Sequence, residues 1–270
     1  MNSVSGGGSG RTVPGCSRSD LRRRSLVQGD ETGWRINGEL AWAWCFRDPR
    51  LALFLIDRHR NRDVLVRVLG RSFQGTLVSD FYAVYNGLDC PKQRCLVHLL
   101  RDLAKLREEL PWQSVRAFIQ PLIELFQDAL QLAKDRDQLN VSDFDQAHQQ
   151  ILDRFDDLLL KSQSQHPDCR RMWRRLFKHC DELFTFLNDS KVPAHNNGAE
   201  RDIRSLVAAR NEGGTHRSDW SAEAFARLKS IIVTGMKNGV RFIHYGIEVV
   251  RAKLQGERLP LPLVAESNTS

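Results

Sequence analysis

The sequence predicts a mixed α/β fold that is interrupted by a long all-helical insertion. Two periodicities along the chain support this. Before residue 98, short runs of alternating apolar and polar residues are typical of strands. From residue 99 to about 190, apolar residues recur at i, i+3, i+4 and i+7, which is typical of amphipathic helices. With 270 residues, 41% of them hydrophobic, the chain can bury a sizeable core.

The first three elements are expected to be antiparallel strands. SLVQGDETGWRI is the first, and the Asn37-Gly38 pair that follows it favours a type I′ hairpin turn. ELAWAWCF and LALFLID are the second and third. Trp42 and Trp44 fall on one face of the second strand, where we favour a buried sheet face over a platform for stacking bases.

A helix and two further strands are expected next. Residues 61–69 have the pattern of a short helix that stops at Gly70. GTLVSD, residues 75–80, is expected to be a buried strand that ends in an aspartate. A fifth strand at about residues 93–97 is expected to run into a helix that begins at His98. The expected order is therefore β-β-β-α-β-β-α, a mixed α/β plan.

The stretch after His98 is expected to be a bundle of helices. RAFIQPLIELFQDALQLA and FDQAHQQILDRFDDLLL both have helical periodicity. The second of these places four apolar side chains on one face: Phe144, Ile151, Phe155 and Leu158. Three prolines are expected to separate successive helices, namely Pro111, Pro121 and Pro167. Helices are also expected at residues 198–209, 221–237 and 242–254.

Composition and charge limit the class of protein. No apolar run approaches the roughly 20 residues of a membrane span, and the N-terminus lacks the apolar segment of a secretory signal. Six cysteines are too few for a disulfide scaffold, so we expect a cytoplasmic protein. A net charge of +7 and a pI of about 9.3 favour a polyanionic partner such as nucleic acid, although a slightly basic protein without one fits equally well.

Five segments are expected along the chain. The Gly/Ser-rich leader over residues 1–24 is expected to be disordered. The following segments are 25–98 for the first part of the α/β domain, 99–190 for the helical insertion, 191–257 for the closing helices of the domain and 258–270 for a flexible tail.

Three acidic residues stand at the ends of elements. Asp30 lies on the first strand, Asp80 ends the fourth, and Glu200 lies in the first turn of a late helix. In a sheet built in this order the first and fourth strands are expected to be neighbours. Asp30 and Asp80 can then converge on one edge of the sheet, and the helix can bring Glu200 beside them. Clustered carboxylates repel one another unless a cation binds between them, and oxygen ligands suit Mg²⁺ or Mn²⁺. Each acid alone also fits a plainer role as a solvent-facing strand residue, a strand-end cap or a first-turn helix acid.

This order of acids is the plan of the RNase H-like fold, and four stretches add a family resemblance. DETGWRING, LVSDFYAVYNGL, CLVHLLRDL and NNGAER resemble the DDE transposases of the insertion-sequence-66 family, over residues 26–240 or so. The resemblance implies that Asp30, Asp80 and Glu200 are a catalytic triad that binds two Mg²⁺ or Mn²⁺ ions. It implies that the helical stretch is an insertion ahead of the third acid. It also implies DNA as the partner, a homo-oligomer when active, and association with the bacterial nucleoid.

Other polar residues are expected to act around these acids. Glu31 is expected to point away from the side of Asp30, because side chains alternate along a strand. His98 is expected near the catalytic pocket, and Asn197 is expected to cap the helix of Glu200 or to hold it against DNA or the metal site. Five arginines are candidate contacts to the DNA backbone, with ion pairs as the plainer alternative: Arg101, Arg201, Arg204, Arg210 and Arg217.

The expected activity is metal-dependent phosphoryl transfer by a transposase, in which DNA strand cleavage is followed by strand transfer. Full members of the resembled family carry DNA-end-recognition segments ahead of the catalytic domain, and nothing comparable precedes residue 25. The alternative expectation is therefore a truncated, non-catalytic remnant that binds DNA through its basic surface.

Overall fold

The computed structural model describes residues 18–161, 166–240 and 254–255. The strands are β1 (Leu26–Ile36), β2 (Glu39–Arg47), β3 (Ala52–Asp57), β4 (Thr76–Ser79) and β5 (Lys92–Arg94). They form one sheet with the order β3-β2-β1-β4-β5, in which β2 and β3 pair antiparallel while β4 is parallel to both β1 and β5. The predicted mixed α/β class is confirmed, and so is the predicted neighbourhood of the first and fourth strands.

The helices alternate with the strands only in the first part of the chain. They are α1 (Arg18–Arg22), α2 (Arg62–Leu69), α3 (Leu96–Glu109), α4 (Gln113–Asp135), α5 (Val141–Lys161), α6 (Pro167–Lys178), α7 (Thr185–Asn188), α8 (Asn197–Gly213) and α9 (Asp219–Lys237). No helix within the described ranges is long and apolar enough to cross a membrane. Residues 242–253 of the helix predicted at 242–254 and the terminal segments 1–17 and 256–270 lie outside the described residues.

The chain divides into two compact units. Of the described residues, the first contains 18–24, Asp30–Phe73 and those from Ala199 onward, and the second contains Ser25–Gly29 and those within Gln74–Gly198. Strand β4, strand β5 and helices α3 to α7 therefore fall in the same unit, whereas a division at residue 98 was expected. The predicted segment boundaries at 98 and 190 stay a prediction.

The first unit is built on the predicted β-hairpin. Asn37 and Gly38 both have positive φ, 51° and 79°, as a type I′ turn requires, so the predicted turn is confirmed. Trp44 on β2 is fully buried, which confirms a buried sheet face for this residue. Trp42 is only partly buried, and the guanidinium carbon of Arg60 lies 4.3 Å from the centre of its ring.

The core of the first unit packs helices α8 and α9 against strands β1 to β3. Buried side chains from β2, α8 and α9 meet in one cluster, which includes Ala43, Cys45, Ile203, Leu206 and Ala222. The contributing residues of α8 lie at i and i+3, so one face of this helix is directed at the sheet. That face also carries Glu200, three residues before Ile203.

The second unit has a core of helices packed against β4. Phe144, Ile151 and Phe155 of α5 are buried in it, as predicted. The fourth predicted residue, Leu158, is only partly buried against this core, and its neighbour Leu159 is buried. The helical bundle predicted from periodicity is therefore present.

Two boundaries in the second unit differ from the prediction. Pro121 does not separate helices but lies inside α4, where the buried face of the helix, including Phe118, Ile119 and Leu122, keeps it continuous despite the lost backbone N–H. Strand β5 is shorter than predicted, and α3 begins at Leu96 rather than at His98. The CLVHLL run has the spacing of both a strand and a helix, and burial of Leu96 at helical spacing favours the helix.

Helix α8 is longer than predicted at both ends. It begins at Asn197 and continues to Gly213, where residues 198–209 were expected. The residues after Ala209 contain no helix-breaking residue until the Gly213-Gly214 pair, and Gly214 has a φ of 75°. The glycines end the helix at a position that its apolar periodicity alone does not mark.

Candidate active site

Asp30 lies within β1, partly buried, and its neighbour Glu31 has a separate role. The Asp30 Oδ1 atom accepts the backbone N–H of Glu31 at 3.0 Å. The Glu31 side chain is only 2% exposed and accepts from Arg60 Nη2 at 2.7 Å. The Glu31 carboxylate is therefore held in an ion pair with Arg60.

Glu200 occupies the first turn of α8, on the face of the helix that packs against the sheet. The helix is fixed by its next acid, Asp202, which pairs with Arg47 of β2 at 3.2 Å and with Lys237 of α9 at 2.7 Å. The Glu200 side chain is 20% exposed, and Arg204 one turn later lies 3.9 Å away. An acid at a helix N-terminus is favoured by the helix dipole, and this one is directed inward.

The thiol of Cys45 on β2 is buried close to charged side chains. Burial raises the pKa of Cys45 well above its ordinary value, the nearby charges of Asp202 and Asp30 raise it further, and those of Lys237 and Arg47 lower it. Asp30 on β1 and Asp202 on α8 therefore act on the same buried position of β2.

Asp80 follows β4 directly and is held by a buried arginine. Its Oδ1 accepts the backbone N–H of Tyr82 at 2.9 Å, and its backbone carbonyl accepts from Arg94 Nη1 at 2.8 Å. Arg94 is fully buried and pairs with Glu182 at 2.5 Å. Burying this guanidinium is tolerable because its donors are satisfied by an opposite charge and by oxygen acceptors.

A pocket of about 290 Å³ opens beside Asp80 in the second unit. Its walls are formed by Asp80, Phe81, Tyr82, His98, Asp102 and Arg175. His98 and Asp80 therefore line the same pocket. Arg175, from α6 in the helical insertion, was not foreseen, because nothing in its local sequence distinguishes it from the other arginines of that helix.

Asn196, the first of the two asparagines ahead of Glu200, is buried. Its side chain is 1% exposed and donates from Nδ2 to the Gly29 carbonyl at 2.7 Å, while its backbone N–H donates to Cys95 Sγ at 3.2 Å. Asn197, the predicted capping residue, is exposed as the first residue of α8. The asparagine pair was the available signal, but which member is buried depends on the direction of the chain after packing.

The predicted DNA-contacting arginines differ in their exposure and in the contacts that they already make. Arg101, Arg201 and Arg217 are exposed, and Arg204 is 79% exposed. Arg210 instead donates to the Gly33 carbonyl of β1 and lies 5.9 Å from the centre of the Trp34 ring. The four exposed arginines are available to a large anionic partner, whereas Arg210 is already engaged with the first strand.

The predicted acids thus fall in two sets. Asp30 and Glu200 belong to the first unit, whereas Asp80 and His98 line a pocket of the second unit. Carboxylate oxygens are the donor type that Mg²⁺ and Mn²⁺ prefer, so the acids have the right chemistry for these ions.

Comparison with known proteins identifies the family. The chain is 31% identical over 80 residues to the uncharacterized protein y4jO of Sinorhizobium fredii. That stretch covers 30% of this chain and 25% of the relative, so the chain spans only about a quarter of the length of the curated relative it matches. A longer match, over residues 17–224, is to the family described as Transposase IS66 family. Since this match covers most of the chain, including all three acids, the chain belongs to the IS66 transposase family.

Proposed function

We propose that this chain carries out DNA strand cleavage and strand transfer on an RNase H-like fold, with Asp30, Asp80 and Glu200 as the metal-binding carboxylates. The observation that carries the proposal is the family match, which spans all three residues. The sheet supports it: β1 and β4 are parallel neighbours whose last paired residues are Gln28 and Val78. Asp30 and Asp80 each lie two residues beyond that pair in their own strand direction.

The residues fit a divalent cation in their chemistry. All three are carboxylates, and the bond from the Tyr82 N–H fixes one oxygen of Asp80 in place. Two Mg²⁺ or Mn²⁺ ions, when bound, would supply stabilisation of the attacking and leaving oxygens at the phosphorus atom. Glu200, the third ligand in this proposal, lies in the first turn of α8, which follows the helical insertion.

The partner in this proposal is DNA, at a transposon end and then at a target. Water first attacks the phosphodiester at the transposon end, and the freed 3′-hydroxyl then attacks the target strand. Exposed arginines hold the backbone phosphates, since guanidinium groups form charge-assisted hydrogen bonds to phosphate oxygens. These arginines are Arg101, Arg201, Arg204 and Arg217. A homo-oligomer as the active form belongs to the same proposal.

Nicking of a supercoiled plasmid, with and without Mg²⁺ or Mn²⁺, tests the proposal. Asp30→Asn, Asp80→Asn and Glu200→Gln are each expected to lower metal-dependent nicking by more than about 100-fold, because even residues that only support metal ligands cost 10- to 100-fold. Far-ultraviolet circular dichroism should show that the fold is retained.

Exposed acids in both units provide matched controls. Asp89→Asn and Glu212→Gln remove the same charges from exposed positions and should leave nicking unchanged. Wild-type protein that binds DNA but never nicks it with either metal would instead indicate a non-catalytic remnant. Full nicking by any of the three acid variants would refute the assignment of that residue.

A further inference from the structure

The segment that follows Asp80 packs against side chains of the helical insertion. The guanidinium carbon of Arg175, on α6, lies 3.7 Å from the centre of the Phe81 ring. The ring of His179, which follows α6, meets the same phenylalanine edge-on at 5.7 Å. Phe81 is partly buried against the helical core. The residue next to a proposed metal ligand is therefore packed against two side chains of the insertion.

Arg175 is itself held in position. Its Nη1 atom donates to Asp102 Oδ2 on α3 at 2.6 Å, which fixes one end of the guanidinium. Its Nε atom is buried and makes no hydrogen bond within the described part of the chain. Arg175 therefore connects Asp102 on α3 with the ring of Phe81.

A second set of contacts, an ion pair and a hydrogen bond, connects the helical insertion to Asp80. Glu182, shortly after α6, pairs with Arg94, whose Nη1 atom holds the Asp80 carbonyl at 2.8 Å. His179 Nδ1 lies 2.8 Å from the same Glu182 carboxylate. The end of α6 thus contacts the ring of Phe81 on one side and, through Arg94, the backbone of Asp80 on the other.

We propose that Arg175 is a positioning residue for Asp80, and that the helical insertion thereby sets the geometry of the second metal-binding carboxylate. Arg175 and Asp80 line the same pocket of the second unit. By stacking on Phe81, Arg175 restricts the rotation of the chain between Asp80 and Tyr82. The catalytic consequence rests on the proposed function, whereas the restriction of the segment does not.

Arg175 is the informative residue to change. Arg94 is fully buried and pairs with Glu182, so its loss is expected to unfold the unit. The side chain of Arg175 is 27% exposed. Arg174, its neighbour on α6, is exposed and provides a matched control. Arg175→Lys keeps a cation that can pair with Asp102 and lie over the ring, so it serves as the conservative variant.

Hydrogen exchange of the full chain measures the restriction directly. The Tyr82 N–H donates to the Asp80 carboxylate, so its exchange rate reports on the position of that carboxylate. In Arg175→Ala, exchange at Tyr82 is expected to be about 10-fold faster, because a local opening that the stack opposed becomes more frequent. Arg175→Lys should recover part of this protection, and Arg174→Ala should match wild type.

The concentration of Mn²⁺ that gives half-maximal plasmid nicking measures the catalytic consequence. Arg175→Ala is expected to raise it about 10-fold, as for residues that orient metal ligands. The affinity for duplex DNA and its salt dependence should stay unchanged. Phe81→Leu removes the aromatic ring on which Arg175 stacks and is the second variant if Arg175→Ala fails to fold. It is expected to show the same faster exchange at Tyr82 and the same higher Mn²⁺ concentration for half-maximal nicking.

The two readouts separate the possible failures. Unchanged exchange at Tyr82 in Arg175→Ala and Phe81→Leu overturns the proposal. Faster exchange with an unchanged Mn²⁺ requirement also overturns it, as does a lower salt dependence of DNA binding, which would make Arg175 a DNA contact. If wild-type protein does not nick at all, the proposed function fails, and the exchange comparison still decides whether Arg175 holds the Asp80 segment.

Discussion

At the scale of single residues, the second unit depends on a charge pair that is far apart in sequence. Arg94 on β5 is fully buried and pairs with Glu182, 88 residues later. Burial alone would raise the pKa of Glu182, but hydrogen bonds from His179 and Arg94 outweigh it and lower the pKa to about 2. The ionised form of Glu182 is therefore favoured by the fold.

This shift predicts how stability depends on pH. The folded pKa of about 2 lies below the ordinary value of 4.5, so the contribution of Glu182 is complete above pH 4.5 and is lost as the pH falls toward 2. Glu182→Gln leaves the buried Arg94 unpaired and is expected to lower the free energy of unfolding by about 3–5 kcal/mol at pH 7. Urea unfolding at several pH values should show this difference shrinking below pH 4.5.

Glu212→Gln, at an exposed position of α8, is the control for this titration. Its free energy of unfolding should stay within about 0.5 kcal/mol of wild type. A difference between wild type and Glu182→Gln that is constant from pH 7 to pH 2 would contradict the assigned role of the ionised carboxylate.

At the scale of elements, β3 is an edge strand that a helix completes. Its backbone N–H groups at Ala52 and Phe54 donate to the hydroxyls of Thr234 at 3.1 Å and Ser230 at 2.8 Å, one turn apart on α9. Both hydroxyl residues are 2% exposed. Side-chain oxygens of α9 thus accept hydrogen bonds that another strand would accept, and they protect an edge that would otherwise invite pairing with another chain.

Replacing the hydroxyl at Thr234 tests this arrangement. Thr234→Val keeps the shape but leaves the Ala52 N–H without that acceptor, so the free energy of unfolding is expected to fall by about 1–3 kcal/mol. Thr234→Ser keeps the hydroxyl and should lose clearly less. Urea unfolding of both variants provides the comparison, and equal losses would show that packing of the methyl group, not the hydrogen bond, is what matters.

At the scale of the whole molecule, the excess of positive charge is expected to act on DNA. The net charge is +7, and four predicted phosphate contacts are exposed. Each phosphate contact releases counterions, so the logarithm of the DNA affinity should fall linearly with the logarithm of the salt concentration. The predicted association with DNA thus has a measurable electrostatic signature.

Removing single arginines should change this salt dependence. Arg201→Ala and Arg217→Ala are each expected to lower the slope by about 1 and to weaken binding of unrelated sequences to the same extent. Lys105→Ala removes an exposed charge that is not a predicted contact and should leave the slope unchanged. Fluorescence anisotropy with a short duplex at several salt concentrations measures the slopes, and equal slopes for wild type and both arginine variants would exclude them as contacts.

The positions of most helices and strands, the family and the order of the three acids along the chain could be predicted from the sequence. Turn chemistry located the Asn37-Gly38 hairpin, and helical periodicity located the buried face of α5, because both depend on residues close together in the chain. The motifs around Asp30, Asp80 and Glu200 predicted the IS66 transposase family, which the match over residues 17–224 confirms.

The pairing of polar side chains in ion pairs, hydrogen bonds and ring contacts became visible only in the folded structure. It paired Glu31 with Arg60, buried Asn196 against the Gly29 carbonyl and brought Arg175 onto the ring beside Asp80. It also kept α4 continuous through Pro121, where local propensity predicts a break. These outcomes depend on burial and charge pairing between residues that are distant in sequence, and such terms outweigh local preferences only after the chain has packed.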